Sequence, residues 1–302
     1  MPPSPIFEPL PTILKRHPTP MIITRKYKPD DNDIIYHYCD AYAFYSICTN
    51  RKLWFNDLFS MNDYLELHWG YSIWEQAAST RLEKYGREFL DEIDEIIHFS
   101  GFQGLLLANC FSTDKDVLSQ WRAYANDGKG YVIGFNAKDI LGLPIRALKV
   151  LYDKEEQIKE ATAGIDTLFL MKQNNLPDYK ALCRVYGYDL SAFKNPAFSE
   201  EKEIRLVHLL DFQKSNDFLK LVDEGGQYFG EERKGEQVKF RIKQEIPIPY
   251  IEFDFTNNGK LNPIKEVVIG PNNDVMVTAI SIFLETIGVE NVKIEKSKAS
   301  YR

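Results

Sequence analysis

The residues best placed to do chemistry are Glu201, Glu203 and Arg205, at alternate positions in a stretch that begins as charge and ends as Leu206-Val207-His208-Leu209-Leu210. The apolar half reads as a short buried strand that follows a Pro196-containing loop. Side chains alternate along a strand, so these three share one face. Carboxylates at the mouth of a buried strand are costly to desolvate without partners. The stretch is therefore either a structural ion-pair site or a reaction site, and spacing alone favours an intrastrand ion pair. Two further places gather polar and aromatic groups. Tyr36-His37-Tyr38 can aim an imidazole into an aromatic-walled cleft. Cys110-Phe111-Ser112-Thr113, followed by Ser119-Gln120-Trp121-Arg122-Ala123-Tyr124, sets hydroxyl, amide and guanidinium groups at a strand-to-helix junction, where Arg122 suits phosphate.

Other chemistries lack their signatures. The chain has no G-x-G-x-x-G after a strand, no G-x-x-x-x-G-K-[ST] and no G-x-S-x-G. His17, His37, His68, His98 and His208 show no paired metal spacing, so no metal is expected. Cys39, Cys48, Cys110 and Cys183 form no C-x-x-C pair and read as free thiols of a reducing cytoplasm. A net charge of -7 argues against a general grip on nucleic acid, although a local basic groove stays compatible with it. No apolar run reaches the roughly 18–20 residues of a membrane helix, so no membrane partner is expected.

The elements that must position these groups follow from local pattern. Residues 1–33, with Pro2, Pro3, Pro5, Pro9, Pro11, Pro18 and Pro20 near the start, read as an extended arm that packs through Ile6, Phe7, Leu10 and Ile13. Residues 34–302 read as one α+β domain. Strands are expected at 34–38, 52–56, 104–111, 131–135, 218–222, 238–242, 248–255, 264–269 and 292–295. Asp40 is expected to cap a helix to Asn50, Asp114 or Asp116 one through Tyr124, and Asn272 or Asn273 one to Glu285. Residues 64–99 and 154–193 read as mostly helical. Helices dominate the first two-thirds and strands the last third.

The order Tyr36-His37-Tyr38, Leu53-Trp54, Asn62-Asp63, Cys110-Phe111-Ser112, Leu118-Ser119-Gln120-Trp121-Arg122-Ala123-Tyr124, Glu201-Lys202-Glu203-x-Arg205, Ile269-Gly270-Pro271 and Ser297-x-x-x-Tyr301-Arg302 resembles a large, mostly bacterial family of domains of unknown function. That family is in turn remotely similar to the ADP-ribosyltransferase fold. The resemblance implies a split β-sheet core with helical insertions, NAD as a substrate rather than a resident cofactor, and a defence or toxin setting. It gives Glu203 the catalytic carboxylate role, with Glu201 completing an E-x-E pair. His37 would bind a ribose hydroxyl, Tyr38 the nicotinamide amide through its backbone, and Ser112 and Thr113 would form the middle motif. Arg205 would orient Glu203, Arg122 would take the pyrophosphate, and Tyr38, Trp54 or Tyr124 would stack on a ring. Cys39 departs from the small hydroxyl residue that commonly follows His-Tyr in that family. The acceptor, a macromolecule or a small molecule, is left open. The alternatives are a nucleotide- or partner-binding module without turnover, and a transferase acting on phosphorylated RNA ends, which the net charge disfavours.

Overall fold

A computed structural model describes residues 25–58, 65–100, 104–176 and 179–299. The arm's apolar residues, Asn62-Asp63, Pro177 and Tyr301-Arg302 lie outside the described residues. In chain order the elements are β1 (Ile34–Cys39), α1 (Ala41–Asn50), β2 (Lys52–Asp57), α2 (Leu65–Ser79), α3 (Leu82–Tyr85), α4 (Arg87–Ser100) and β3 (Gly104–Ser112). Next come α5 (Leu118–Tyr124), β4 (Tyr131–Asn136), α6 (Ala137–Ile140), β5 (Arg146–Lys149), α7 (Lys154–Gln173), α8 (Tyr179–Asp189) and a 3-10 turn at Pro196–Glu201. The last third holds β6 (Glu203–Ser215), β7 (Phe218–Val222), β8 (Gly226–Tyr228), β9 (Glu231–Arg233), β10 (Lys239–Lys243), β11 (Ile246–Asp254), β12 (Ile264–Ile269), α9 (Val277–Thr286) and β13 (Lys293–Lys296). The mixture is α+β, and among the described residues eight of the nine helices precede β6 while eight of the thirteen strands run from β6 onward, as expected.

Eleven strands make one mixed sheet in the order β10-β11-β2-β3-β1-β4-β12-β13, with β6 on the other edge of β3 and β5 and β7 beyond β6. Only the β12–β13 pair among these is parallel. Alternation packs Ile35, Leu53, Phe55, Leu107, Phe111, Ile204, Leu206 and Ile251 into one core beneath α1 and α9. A second core, around Ile73, Ile93, Ile165 and Tyr186, joins α2, α4, α7 and α8.

Local signals explain several boundaries. Asp40 caps α1 by accepting the Ala43 amide at 2.7 Å, and Phe44, Ile47 and Cys48 form its buried stripe. Helix α5 departs from expectation, because neither Asp114 nor Asp116 caps it. The Tyr38 hydroxyl instead accepts the Val117 amide at 2.9 Å. Asp116 is used elsewhere: it takes the Trp121 indole N–H at 2.7 Å and the Lys298 amide at 2.7 Å. Helix α9 likewise starts at Val277 without a side-chain cap, and Asn273 accepts the Val275 amide two residues earlier. Gly130 cannot be replaced, since a Cβ there would meet the Cys39 carbonyl at 2.2 Å.

Candidate active site

The site begins as a parting in the sheet. Along one edge, β3 pairs with β2 at Asn56–Ala108 and Asp57–Leu107, and with β1 at Tyr36–Ser112. Between these pairs, at residues 109–111, β1 and β2 diverge. Side chains take over the hydrogen bonding there. His37 Nδ1 donates to the Cys110 carbonyl at 3.1 Å, and Asn109 Nδ2 donates to the Trp54 carbonyl at 2.9 Å. A cleft of about 740 Å³ occupies the parting and reaches both sheet faces. Its size lies within the usual range for a small-molecule site. From one face come His37 and Asn109, with Tyr42 and Ser46 of α1; from the other come Cys110, Glu203, Arg205 and Trp54.

Glu203 is the most constrained group in the cleft. Arg205 grips it with two prongs, Nε to Oε1 at 2.7 Å and Nη2 to Oε2 at 3.0 Å. Lys194 Nζ reaches Glu203 at 3.1 Å and Glu201 at 2.6 Å. Two cations and two anions thus form one cluster, with Glu203 4 % and Arg205 2 % exposed. Arg205 Nη1 is tied to the Ser191 carbonyl at 2.7 Å, and the Glu203 amide donates to the Tyr152 hydroxyl at 3.0 Å. Burial alone would raise the Glu203 carboxyl, but Arg205 and Lys194 outweigh it and hold its pKa at about 2. The Cys110 thiol is pushed well up by burial and by Glu203, so it stays protonated and donates to that carboxylate.

This arrangement fixes the acid response. The folded Glu203 value lies below the ordinary 4.5, so its stabilisation is complete above about pH 4.5 and is lost as pH falls toward 2. Chemical denaturation at pH 7 and pH 3 should show a loss of roughly 1–3 kcal/mol from this group, and Glu203→Gln should flatten that part of the curve.

Local backbone turns both glutamates to one place. Lys202 sits in the left-handed region, φ 46°, at the end of the 3-10 turn. Glu201 and Glu203 therefore both line the cleft, and Lys202 points away to Asp114 at 3.1 Å. The Glu201 carbonyl is held by the Ser112 hydroxyl at 2.7 Å and by Gln120 Nε2 at 3.0 Å. Tyr124 OH donates to the Glu201 carboxylate at 3.3 Å, and burial followed by that carboxylate pushes the phenol up.

On the other side of the parting, His37 packs on Phe111 with ring centroids 5.3 Å apart. A carbonyl only accepts, so the bond to Cys110 places the proton on Nδ1 and leaves Nε2 as an acceptor. Burial pulls the imidazole below its ordinary value, which keeps it neutral. Trp54 stacks on Tyr250 at 4.5 Å and lines the cleft.

Of the residues expected at the site, His37, Tyr38, Tyr124, Glu201, Glu203 and Arg205 line this one cleft. Two do not. Ser112 is fully buried, and its hydroxyl is spent on the Glu201 carbonyl and the Asp114 amide. Arg122 is exposed and borders a separate shallow depression with Leu118, Ser119 and Glu200. Thr113 is also exposed and outside the cleft. Lys194 escaped sequence reasoning, because it enters from the segment after α8 and no spacing rule links it to β6. Among the described residues there is no group of three or more His, Cys, Asp or Glu side chains that could hold a metal ion, and no helix long and apolar enough to cross a membrane.

Residues 120–206 match the model of a family described as a protein of unknown function (DUF2971). The matched segment runs from Gln120 through α5 to the Glu203–Arg205 strand, so it contains the whole ion cluster. No curated protein and no solved structure matches the chain.

Proposed function

We propose that the protein cleaves the nicotinamide–ribose bond of NAD and transfers ADP-ribose to an acceptor. The observation that carries this reading is an ionised carboxylate, Glu203, lining the same cleft as the neutral imidazole of His37. Loss of nicotinamide develops positive charge on the ribose, the same charge that glycosidases stabilise with carboxylates. Nicotinamide departs as a neutral base from a cationic nitrogen, so no general acid is required. Glu203 would accept the ribose 2′-hydroxyl and stabilise the cation as it forms. His37 Nε2 would accept a second ribose hydroxyl. Trp54 and Tyr124 supply aromatic walls. A sheet parted around β3 supports a likeness to the ADP-ribosyltransferase core.

The reading is tested by incubating the protein with NAD and measuring free nicotinamide. Release above a no-protein control is expected. Arg122→Ala should change it by less than about twofold, as for a surface side chain away from the chemistry. A tenfold loss in that variant would return Arg122 to the pyrophosphate role.

One observation favours a binding module of the same fold instead. The Glu203 carboxylate already accepts from Arg205, from Lys194 and from the Cys110 thiol. A carboxylate so occupied has little capacity left for a ribose hydroxyl. NAD that binds, by calorimetry, without any nicotinamide release would select this reading.

A further inference from the structure

Three residues that line the cleft each carry a buried polar atom without a hydrogen-bond partner: Asn56 Oδ1, Asn109 Oδ1 and Arg241 Nε. Buried polar groups in folded proteins are nearly always satisfied, and each exception calls for a reason. Asn109 is 6 % exposed. Its amide orientation is fixed, because Nδ2 donates to the Trp54 carbonyl and a carbonyl cannot donate back. Asn109 Oδ1 is therefore an acceptor in want of a donor. Asn56 shares a sheet face with Trp54, two positions along β2. Strand register places Tyr250 opposite Asn56 and Lys239 opposite Tyr250, so Arg241, two residues beyond Lys239 on β10, is on that face as well. Trp54 is backed on one side by Tyr250 and remains 36 % exposed.

A flat ring over Trp54, an N–H group toward the Asn56 carboxamide and an anion at Arg241 are three demands that one ligand class meets together. We infer that the β2–β10 end of the cleft is a subsite for a nucleotide whose base carries an exocyclic amino group, an adenylate being the simplest. Trp54 stacks on the base, the Asn56 carboxamide on the same face receives the amino group, and Arg241 takes the 5′-phosphate. This deepens the reading of the cleft as a nucleotide site and does not depend on cleavage of NAD. The adenylate has two possible sources with the same chemistry, half of a dinucleotide or the end of a nucleic-acid strand.

The test is calorimetry on the full chain with AMP, IMP and adenosine, none of which contains nicotinamide, so its result is separate from that of the nicotinamide assay. AMP is expected to bind roughly fivefold or more tightly than IMP, which lacks the amino group. Asn56→Leu should erase most of that difference. Arg241→Ala should weaken AMP by about tenfold or more and leave adenosine unchanged. Thermal melts of both variants establish that they fold. Competition then separates the sources. Displacement of bound AMP by NAD assigns a dinucleotide, and displacement only by 5′-phosphorylated oligoadenylate assigns a strand end. Equal binding of AMP and IMP, an Arg241→Ala variant that weakens adenosine as much as AMP, or displacement by neither competitor overturns the assignment.

Discussion

Glu203→Gln is expected to lower nicotinamide release from NAD by about 10²–10³-fold, the loss commonly seen when one group aimed at transition-state charge is removed. The variant keeps the side chain's volume and one oxygen that accepts from Arg205. It removes the negative charge that faces the ribose, and it sets an amide N–H₂ against two cations. Affinity for NAD should fall much less than turnover, because the lost interaction strengthens only as the cation develops. Rates must be compared well below the variant's melting temperature, since the same change unbalances a buried cluster. Release that persists at the wild-type rate in folded Glu203→Gln would remove this carboxylate from the chemistry.

Lys194→Met should be strongly destabilising. It leaves Glu201 and Glu203 buried with Arg205 as the remaining cation of the cluster. Breaking a buried ion pair by deleting one partner typically costs about 3–5 kcal/mol. For a chain of this length that corresponds to a fall in Tm of about 5–8 °C. The variant also predicts its own pH dependence. Lowering the pH toward 4 protonates the carboxylate that has lost its cation, so the gap to wild type should narrow. A parallel fall at all pH values would mean that the loss is of packing, including the contact of Lys194 over the Phe198 ring at 5.1 Å, and not of charge. Arg205→Met is a poor substitute for this test, because it also abandons the Ser191 carbonyl.

How much of this was legible beforehand depends on whether local rules carried the information. Alternation along β6 placed Glu203 and Arg205 on one face, and the structure pairs them with each other, as intrastrand spacing favoured. The Asp40 cap and the buried stripe of α1 were readable because both ends of each interaction lie within one helical turn. Helix geometry also held a signal about Arg122 that went unused. With Trp121 fully buried, the next residue is turned about 100° away and faces outward. The place of Ser112 outside the cleft was not legible, because its sequence neighbours do not reveal that its partner, the Glu201 carbonyl, lies 89 residues away. Asp116 was a candidate cap for α5, yet its acceptors were claimed by Trp121 and by the segment after β13. Lys194 and the parting of β1 from β2 are tertiary facts, since each needs three segments in place at once.

A continuous sheet insulates what lies on its two sides, since a side chain on one face meets nothing on the other. Where β1 and β2 separate, that insulation fails, and His37 on one side lines the same cleft as Glu203 on the other. Their energetic effects therefore cease to be independent. In a double-mutant cycle read on ligand affinity, His37→Ala and Glu203→Gln should depart from additivity, although no contact joins the two side chains through the backbone layer between them.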